Sequence, residues 1–254
     1  MRGRKKYFFD IPRIVAAGAK RKSYIFCTLL FASFAFSSFL MFSCGTPSAE
    51  YLYHPIDFTS ETGILRLWPN PSNIDDSYVA ALFKGYEIYY HVFDTNDAAL
   101  NSLSLLQSLS SYDPSYFMSI ATSSTYNYYP LLHRIDSLID PHRPLIVVSN
   151  TTNNTYLEFD LNMEKINKSW SITSGTDIIV DSVVRNLVNN TSADFSVSAN
   201  YNSKDQDYTG SDSPKTVYIV FFAVSYGISE ASLGNALYSE PVIIDAPVVY
   251  TPNS

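Results

Sequence analysis

The chain has 254 residues with nine glycines and two cysteines, which excludes collagen-like and disulfide-rich scaffolds and leaves room for one large domain or two small ones. Its formal charge of −7 is unevenly spread: the first 43 residues hold eight basic side chains and one acid, Asp10, leaving nine basic and 23 acidic residues, net −14, in the remainder. So acidic a body argues against nucleic acid as a partner, because contact with phosphates needs clustered Lys and Arg.

From the N-terminus, Lys20-Arg21-Lys22 precedes an apolar stretch from Tyr24 to Phe42. A basic flank, an apolar run and a small-residue site make an export signal rather than part of a fold. The stretch ends Leu40-Met41-Phe42-Ser43-Cys44-Gly45, which resembles the bacterial lipobox. Phe42 is bulkier than the usual residue there and is similar to the looser lipoboxes of spirochaete lipoproteins. This resemblance implies a signal peptide over residues 1–43, cleavage between Ser43 and Cys44, and acylation of Cys44 by chains such as palmitate. The protein would then be lipid-anchored in a membrane, on the periplasmic face or the cell surface. Cys27 falls in the removed segment, so Cys44 would be the one thiol left, unable to form an intramolecular disulfide. Two alternatives stay open: an uncleaved anchor, since about 19 apolar residues just span a bilayer, and a start at Val15 rather than Met1.

Residues 44–55 are expected to form the lipidated N-terminus and a short tether, because Gly45 to Glu50 has a linker's small, polar composition. The body, 56–254, shows mostly strand signals, β-branched and aromatic runs bounded by turn residues. Gly63–Trp68 and Tyr86–Phe93 read as strands. A helix follows, capped by Asp97, with Leu100, Leu103, Leu106 and Leu109 at helical spacing. Ser119–Pro130 reads as irregular, and Leu131–Ile139 as a second helix stopped by Asp140-Pro141. Leu145–Val148 and Tyr156–Leu161 read as a hairpin. Asp177–Val184, Asp194–Tyr201, Val217–Tyr226 and Tyr238–Val249 complete the strands. The fold class is therefore mainly β, a β-sandwich with a partly helical insertion at about 95–144, longer than an ordinary loop.

Gly85-Tyr86-Glu87-Ile88-Tyr89-Tyr90 is similar to the third strand of fibronectin type III domains. Pro214-Lys215-Thr216-Val217-Tyr218 resembles the start of that family's sixth strand, and Tyr238-Ser239-Glu240-Pro241-Val242 the start of its last. The resemblance implies a fibronectin type III-like (immunoglobulin-like) sandwich, with Tyr218 as the corner tyrosine whose hydroxyl binds backbone. Trp68 directly follows Leu67, whereas the family places its tryptophan two positions beyond an aliphatic partner, and a one-residue slip reverses the face.

Motifs for chemistry are sparse. Neither Cys-x-x-Cys nor His-Glu-x-x-His occurs, and the glycines lack phosphate-loop spacing, so no metal or cofactor is expected. The four histidines, His54, His91, His133 and His142, are scattered; His91 reads as structural, and His133 and His142 flank Asp136 and Asp140, which could converge on a helix. His133, Asp136 and Asp140 would share one face of the second helix, as a solvated surface or as the start of a hydrolytic site. Asp205, Asp207 and Asp212 lie in a polar loop that offers oxygen ligands to calcium or is simply solvated. Gly227-Ile228-Ser229-Glu230-Ala231 nearly matches a nucleophile elbow but lacks the second glycine. Asn150, Asn153, Asn167, Asn189 and Asn190 begin glycosylation triplets, coincidental in a bacterial lipoprotein. The candidate recognition loop carries Tyr126, Tyr128 and Tyr129, since tyrosine gives broad amphipathic contact at low entropic cost; its alternative role is pinning the insertion to the sandwich. The expected function is a membrane-anchored, non-enzymatic binding or adhesion module of the cell envelope, taking an unknown protein or glycan. The alternatives are an envelope hydrolase and a structural subunit of an envelope assembly.

Overall fold

A computed structural model describes residues 49–61, 63–135, 138–140, 145–146, 156–161, 182–187, 192–231 and 234–253. Ser43, Cys44, the apolar stretch before them, Asp136, His142 and the five triplet asparagines lie outside the described residues. Among the described residues no helix is long and apolar enough to cross a membrane. The body is one compact unit that begins at Glu50.

In chain order, β1 (Asp57–Glu61) and β2 (Ile64–Trp68) precede two short helices, α1 (Ser72–Asp75) and α2 (Ser77–Leu82). The long strand β3 (Phe83–Phe93) leads into α3 (Asn96–Leu109) and α4 (Pro114–Ala121). Short strands follow: β4 (Tyr129–Pro130), β5 (Leu132–Ile135), β6 (Leu138–Asp140), β7 (Leu157–Asp160), β8 (Ser182–Asn186), β9 (Ser192–Ala193) and β10 (Tyr208–Thr209). A second long strand, β11 (Val217–Ile228), precedes β12 (Ala236–Tyr238), β13 (Val242–Ile243) and β14 (Val248–Tyr250).

Strands β3 and β11 pair antiparallel from Tyr218↔Phe93 to Gly227↔Phe83 and form the centre of the molecule. Both are buried on both faces, which is why their sequences run apolar and aromatic without the polar alternation of a half-exposed strand. Tyr86, Ile88, Tyr90 and Val92 join Val217, Ile219, Phe221 and Ala223 in one core. Phe58, Leu65, Leu67 and Leu157 of the small sheet β1-β2-β7 complete that core. The opposite face carries Tyr89, Phe93, Val220, Phe222 and Val224 against Leu103 and Leu106 of α3 and Phe117 and Met118 of α4. The fold is mainly β, with helices covering one face of its central sheet.

The edges of that sheet are assembled from fragments. Along the outside of β11, β14 pairs at Val217–Ile219, β13 at Phe222–Ala223 and β12 at Tyr226–Ile228. The expected single strand Tyr238–Val249 is thus three short ones, because Pro241 and Pro247 interrupt it and neither can donate to the ladder. Along the outside of β3 lie Ile146 opposite Tyr86, then β4, then β10 in parallel.

Several sequence-based expectations are corrected. The second helix is absent: Leu131–Ile139 forms β5 and β6, which pair with each other, and β5 also pairs with β8. Short apolar runs fit either period, and here sheet neighbours decide. Among the described residues of the expected hairpin Leu145–Val148 and Tyr156–Leu161, Ile146 bridges Tyr86 and β7 pairs with β2 rather than with each other. Asp194–Tyr201 is largely irregular and ends in a 3-10 turn at Ser198–Asn200. Helix α3 forms as expected, but Thr95 takes the cap position, Asp97 sits in the first turn, and Leu100 faces solvent while Ala99, Leu103 and Leu106 face inward. Helix α4 was not foreseen, although Asp113-Pro114 carries its signature. Asp113 accepts hydrogen bonds from the Ser115 and Tyr116 amides at 2.9 and 3.4 Å, and proline suits the first helical position.

Residues before β1 pack onto the body. Leu52 is buried in the core and the Tyr53 amide donates to Asn73 Oδ1 at 2.9 Å. Glu50 Oε1 accepts from the amides of Glu230 and Ala231 at 3.0 and 2.9 Å.

Candidate functional site

On the side of the small sheets, the only fully buried guanidinium among the described residues belongs to Arg185 of β8. Its Nε and one terminal nitrogen donate to the two oxygens of Asp207 at 2.9 and 2.7 Å, a bidentate pair. It also donates to Asp205 Oδ2 at 3.0 Å and to the Asn200 carbonyl at 2.7 Å, and lies 4.2 Å from the Tyr201 ring centre. Burial alone would lower the Arg185 pKa; the Asp207 carboxylate more than reverses this and holds the guanidinium charged. The Tyr90 hydroxyl donates to Asp207 Oδ2 at 2.6 Å and accepts from the Asn186 amide at 2.6 Å. Burial, then the charge of Asp207, pushes that phenol well above its ordinary pKa, so it stays a donor. Because Asp207 precedes β10, Asn186 ends β8 and Tyr90 sits in β3, the cluster fastens three strands together. Arg185 and Asp207 are both fully shielded from solvent, which makes the pair a structural pin.

This placement changes the reading of the acidic loop. Asp205 and Asp207 face a guanidinium, and Asp212 Oδ1 accepts from the Ser203 amide at 2.7 Å. The three do not converge as calcium ligands, and among the described residues no group of three His, Cys, Asp or Glu is positioned to hold a metal.

On the helix side, His91 is buried between two partners: Nδ1 contacts the Asn127 carbonyl at 2.7 Å and Nε2 the Thr209 hydroxyl at 2.9 Å. The carbonyl can only accept, so Nδ1 carries the proton and neutral Nε2 accepts from Thr209. Burial lowers its pKa from the ordinary 6.5 despite the Asn127 carbonyl. The unfolded chain therefore binds a proton first as pH falls below about 6.5, and stability declines from there down to the folded-state pKa. The urea midpoint should drop between neutral pH and the range where carboxylates titrate, and His91→Gln should flatten that part of the profile. An unchanged slope in His91→Gln would contradict the assignment.

The three tyrosines of the expected recognition loop divide between two roles. Tyr128 is 1% exposed, its hydroxyl shares a 2.7 Å hydrogen bond with Ser102, and its ring lies 5.5 Å from Phe222 and 5.7 Å from His91. That ring fastens the insertion to the sheet and is not an accessible contact. Tyr126 is half-buried against the helix-side core. Tyr129 is half-buried in β4, donates to Gln206 Oε1 at 2.9 Å, and borders an open groove.

That groove, of about 400 Å³, runs beside α4, with Tyr89 and Tyr129 on one side and Ala236 and Tyr238 of β12 on the other. Tyr89 donates to Glu87 Oε2 at 2.6 Å, so a buried carboxylate sits behind the aromatic floor. A second concavity of about 520 Å³ adjoins the first at Ser115, Ala236 and Tyr238 and continues past Asp113 to Glu50, Tyr51, Tyr53 and Glu240. Tyr51 packs edge-on against Tyr53 at 5.4 Å. Together they form a concave surface with aromatic walls and scattered polar groups, the usual make-up of a ligand site. Sequence reasoning found its tyrosines at 129 but missed Ser115, Tyr238 and Glu50, which only the fold brings together.

The remaining candidates do not assemble a catalytic site among the described residues. His133 and Asp140 are cross-strand partners in β5 and β6 rather than neighbours on a helix face. Residues Gly227 to Ala231 run from the end of β11 into the turn before β12, a strand-to-strand connection rather than the strand-to-helix elbow a nucleophile needs. Tyr218 packs on the helix-side core, while the hydroxyls of Tyr201 and Tyr208 donate to the backbone carbonyls of Phe195 at 2.9 Å and Ser211 at 2.6 Å. Compared with protein-family descriptions, curated proteins and solved structures, the chain matches none of them.

Proposed function

We propose that this chain is a lipid-anchored protein of a bacterial cell envelope whose body is a non-enzymatic binding module for a protein or glycan. The observation that carries the binding reading is the tyrosine-walled groove between α4 and β12. Tyr89 on its floor donates to the buried Glu87 carboxylate at 2.6 Å. The anchoring reading rests on Leu40 to Gly45 and on the solitary thiol that cleavage before Cys44 would leave. Two or more anchoring signals hold a protein stably where one acyl chain is marginal, and lipobox processing supplies more than one chain.

The finer reading of the fold, a fibronectin type III-like sandwich with a partly helical insertion, is supported by the long antiparallel pair of β3 and β11 and by the small sheet against one face. In this reading α3 and α4, drawn from the insertion, cover the opposite face. Leu65 and Leu67 enter the core while Trp68 turns outward to meet Tyr156 at 5.2 Å, consistent with the one-residue displacement from the family pattern.

Cys44→Ser tests the anchor. The variant should move from the detergent-rich to the aqueous phase on phase partition and lose incorporation of labelled fatty acid. Retention in the detergent phase with label still attached would contradict the proposal.

A further inference from the structure

We propose that the two joined concavities form one docking groove for an extended basic peptide segment of a partner protein; this rests on the binding-module reading and specifies its ligand. The charge of the lining is one-sided. Glu50, Asp113 and Glu240 contribute carboxylates, and among the described residues no Lys or Arg borders either concavity. The mature body as a whole carries net −14, so the long-range field draws cations toward it.

The rings supply the second element of recognition. Tyr51, Tyr53 and Tyr238 line the joined concavities, and tyrosine faces attract ammonium and guanidinium groups. Two of the carboxylates are pre-positioned. Asp113 is fixed by its amide bonds at the start of α4, using Oδ1 alone, which leaves Oδ2 for a ligand. Glu50 is fixed by the amides of Glu230 and Ala231. Hydrogen bonds from Ser229 to Glu50 and from Ser115 to Asp113 lower both pKa values, so both stay ionised in mildly acidic surroundings.

The dimensions favour an extended chain over a compact ligand. From β4 to β12 the first concavity spans three strand spacings, about 14 Å, or roughly four extended residues. The second continues past β12 toward Glu50. A basic side chain at the Glu50 end and aromatic or aliphatic ones toward Tyr129 match the change of lining along the groove.

The test uses full-length protein purified in detergent and two fluorescently labelled capped hexapeptides, alternating Lys-Tyr and alternating Glu-Tyr, read by anisotropy at about 0.15 M salt. One variant combines Glu50→Gln, Asp113→Asn and Glu240→Gln. A control combines Asp75→Asn, Asp97→Asn and Asp245→Asn, three exposed carboxylates away from the groove, and removes the same charge. The Lys-Tyr peptide should bind and the Glu-Tyr peptide should not. The groove variant should weaken binding about tenfold or more, and the control less than about twofold, since isolated surface charges contribute little. Tyr238→Ala, checked for folding by circular dichroism, should weaken binding without altering net charge. Equal weakening in both triple variants would show diffuse attraction and overturn the proposal, as would undiminished binding in the groove variant or no binding at about 1 mM peptide. Cys44→Ser should bind the peptide like the parent, so loss of anchoring and loss of docking are read separately.

Discussion

Asp207→Asn should destabilise the protein by about 3–5 kcal/mol, the scale for breaking a buried pair, because Arg185 then keeps only the Asp205 carboxylate at 3.0 Å. Arg185 and Asp207 are both fully shielded from solvent, so water cannot take the place of the missing partner. The substitution removes the closer of the two charges facing the guanidinium and weakens the acceptor of the Tyr90 hydroxyl, loosening β8, β10 and β3 together. Arg185→Met should cost a similar amount, because Asp207 is then a buried carboxylate held by Tyr90 alone among its present side-chain partners. The double variant Arg185→Met with Asp207→Leu should cost clearly less than the two singles summed, since removing both charges also removes their desolvation. Urea unfolding of the parent, Arg185→Met, Asp207→Leu and their double variant measures this cycle, with Asp207→Asn beside it. Singles that cost under about 1 kcal/mol, as exposed ion pairs do, would show that the cluster is hydrated and does not pin the strands.

Phe222→Ala should cost about 3–5 kcal/mol, as large-to-small substitutions of buried aromatics do. Its ring is fully buried on the helix side, stacked on Tyr89 at 5.0 Å and met edge-on by Phe117 at 5.1 Å. Tyr128 adds a third contact at 5.5 Å. The loss should be spatially selective. Hydrogen exchange should accelerate in α3 and α4 first, because Phe222 is the shared contact between α4, the Tyr128 segment and the sheet. Phe221→Ala, on the opposite face against Tyr90, should cost a comparable amount without releasing the helices preferentially. Equal acceleration of α3 and α4 in both variants would contradict the two-sided core.

The central strands were legible because a strand buried on both faces writes a long apolar run, and Tyr86–Phe93 and Val217–Tyr226 are such runs. Helix α3 was legible from its leucine period, though not its register: Ala99 rather than Leu100 faces the sheet. The stretch from Leu131 to Ile139 was misread because its spacing suits a helix as well as two short strands, and the deciding partner, β8, lies about 50 residues away. The sign of α4, Asp113-Pro114, was present and passed over. Of the expected recognition loop Tyr126, Tyr128 and Tyr129, the last two border the groove. Ser115 and Tyr238 are 123 positions apart, and no local pattern reports that the fold makes them neighbours. Asp205 and Asp207 were noticed as acids, but their meaning came from Arg185, a lone charge following Val183 and Val184 in β8. Arg185 behind Val183 and Val184 is a local sign of a buried counter-ion, one that the acidic loop read by itself does not carry.

The mature N-terminus decides the lipid anchor most directly. Mass spectrometry of the protein purified from its native membranes should find a chain that begins at Cys44 and carries the added mass of a thioether-linked diacylglyceryl group. A mature chain that retains residues 1–43, with Cys44 unmodified, would contradict the lipid anchor and the envelope function built on it.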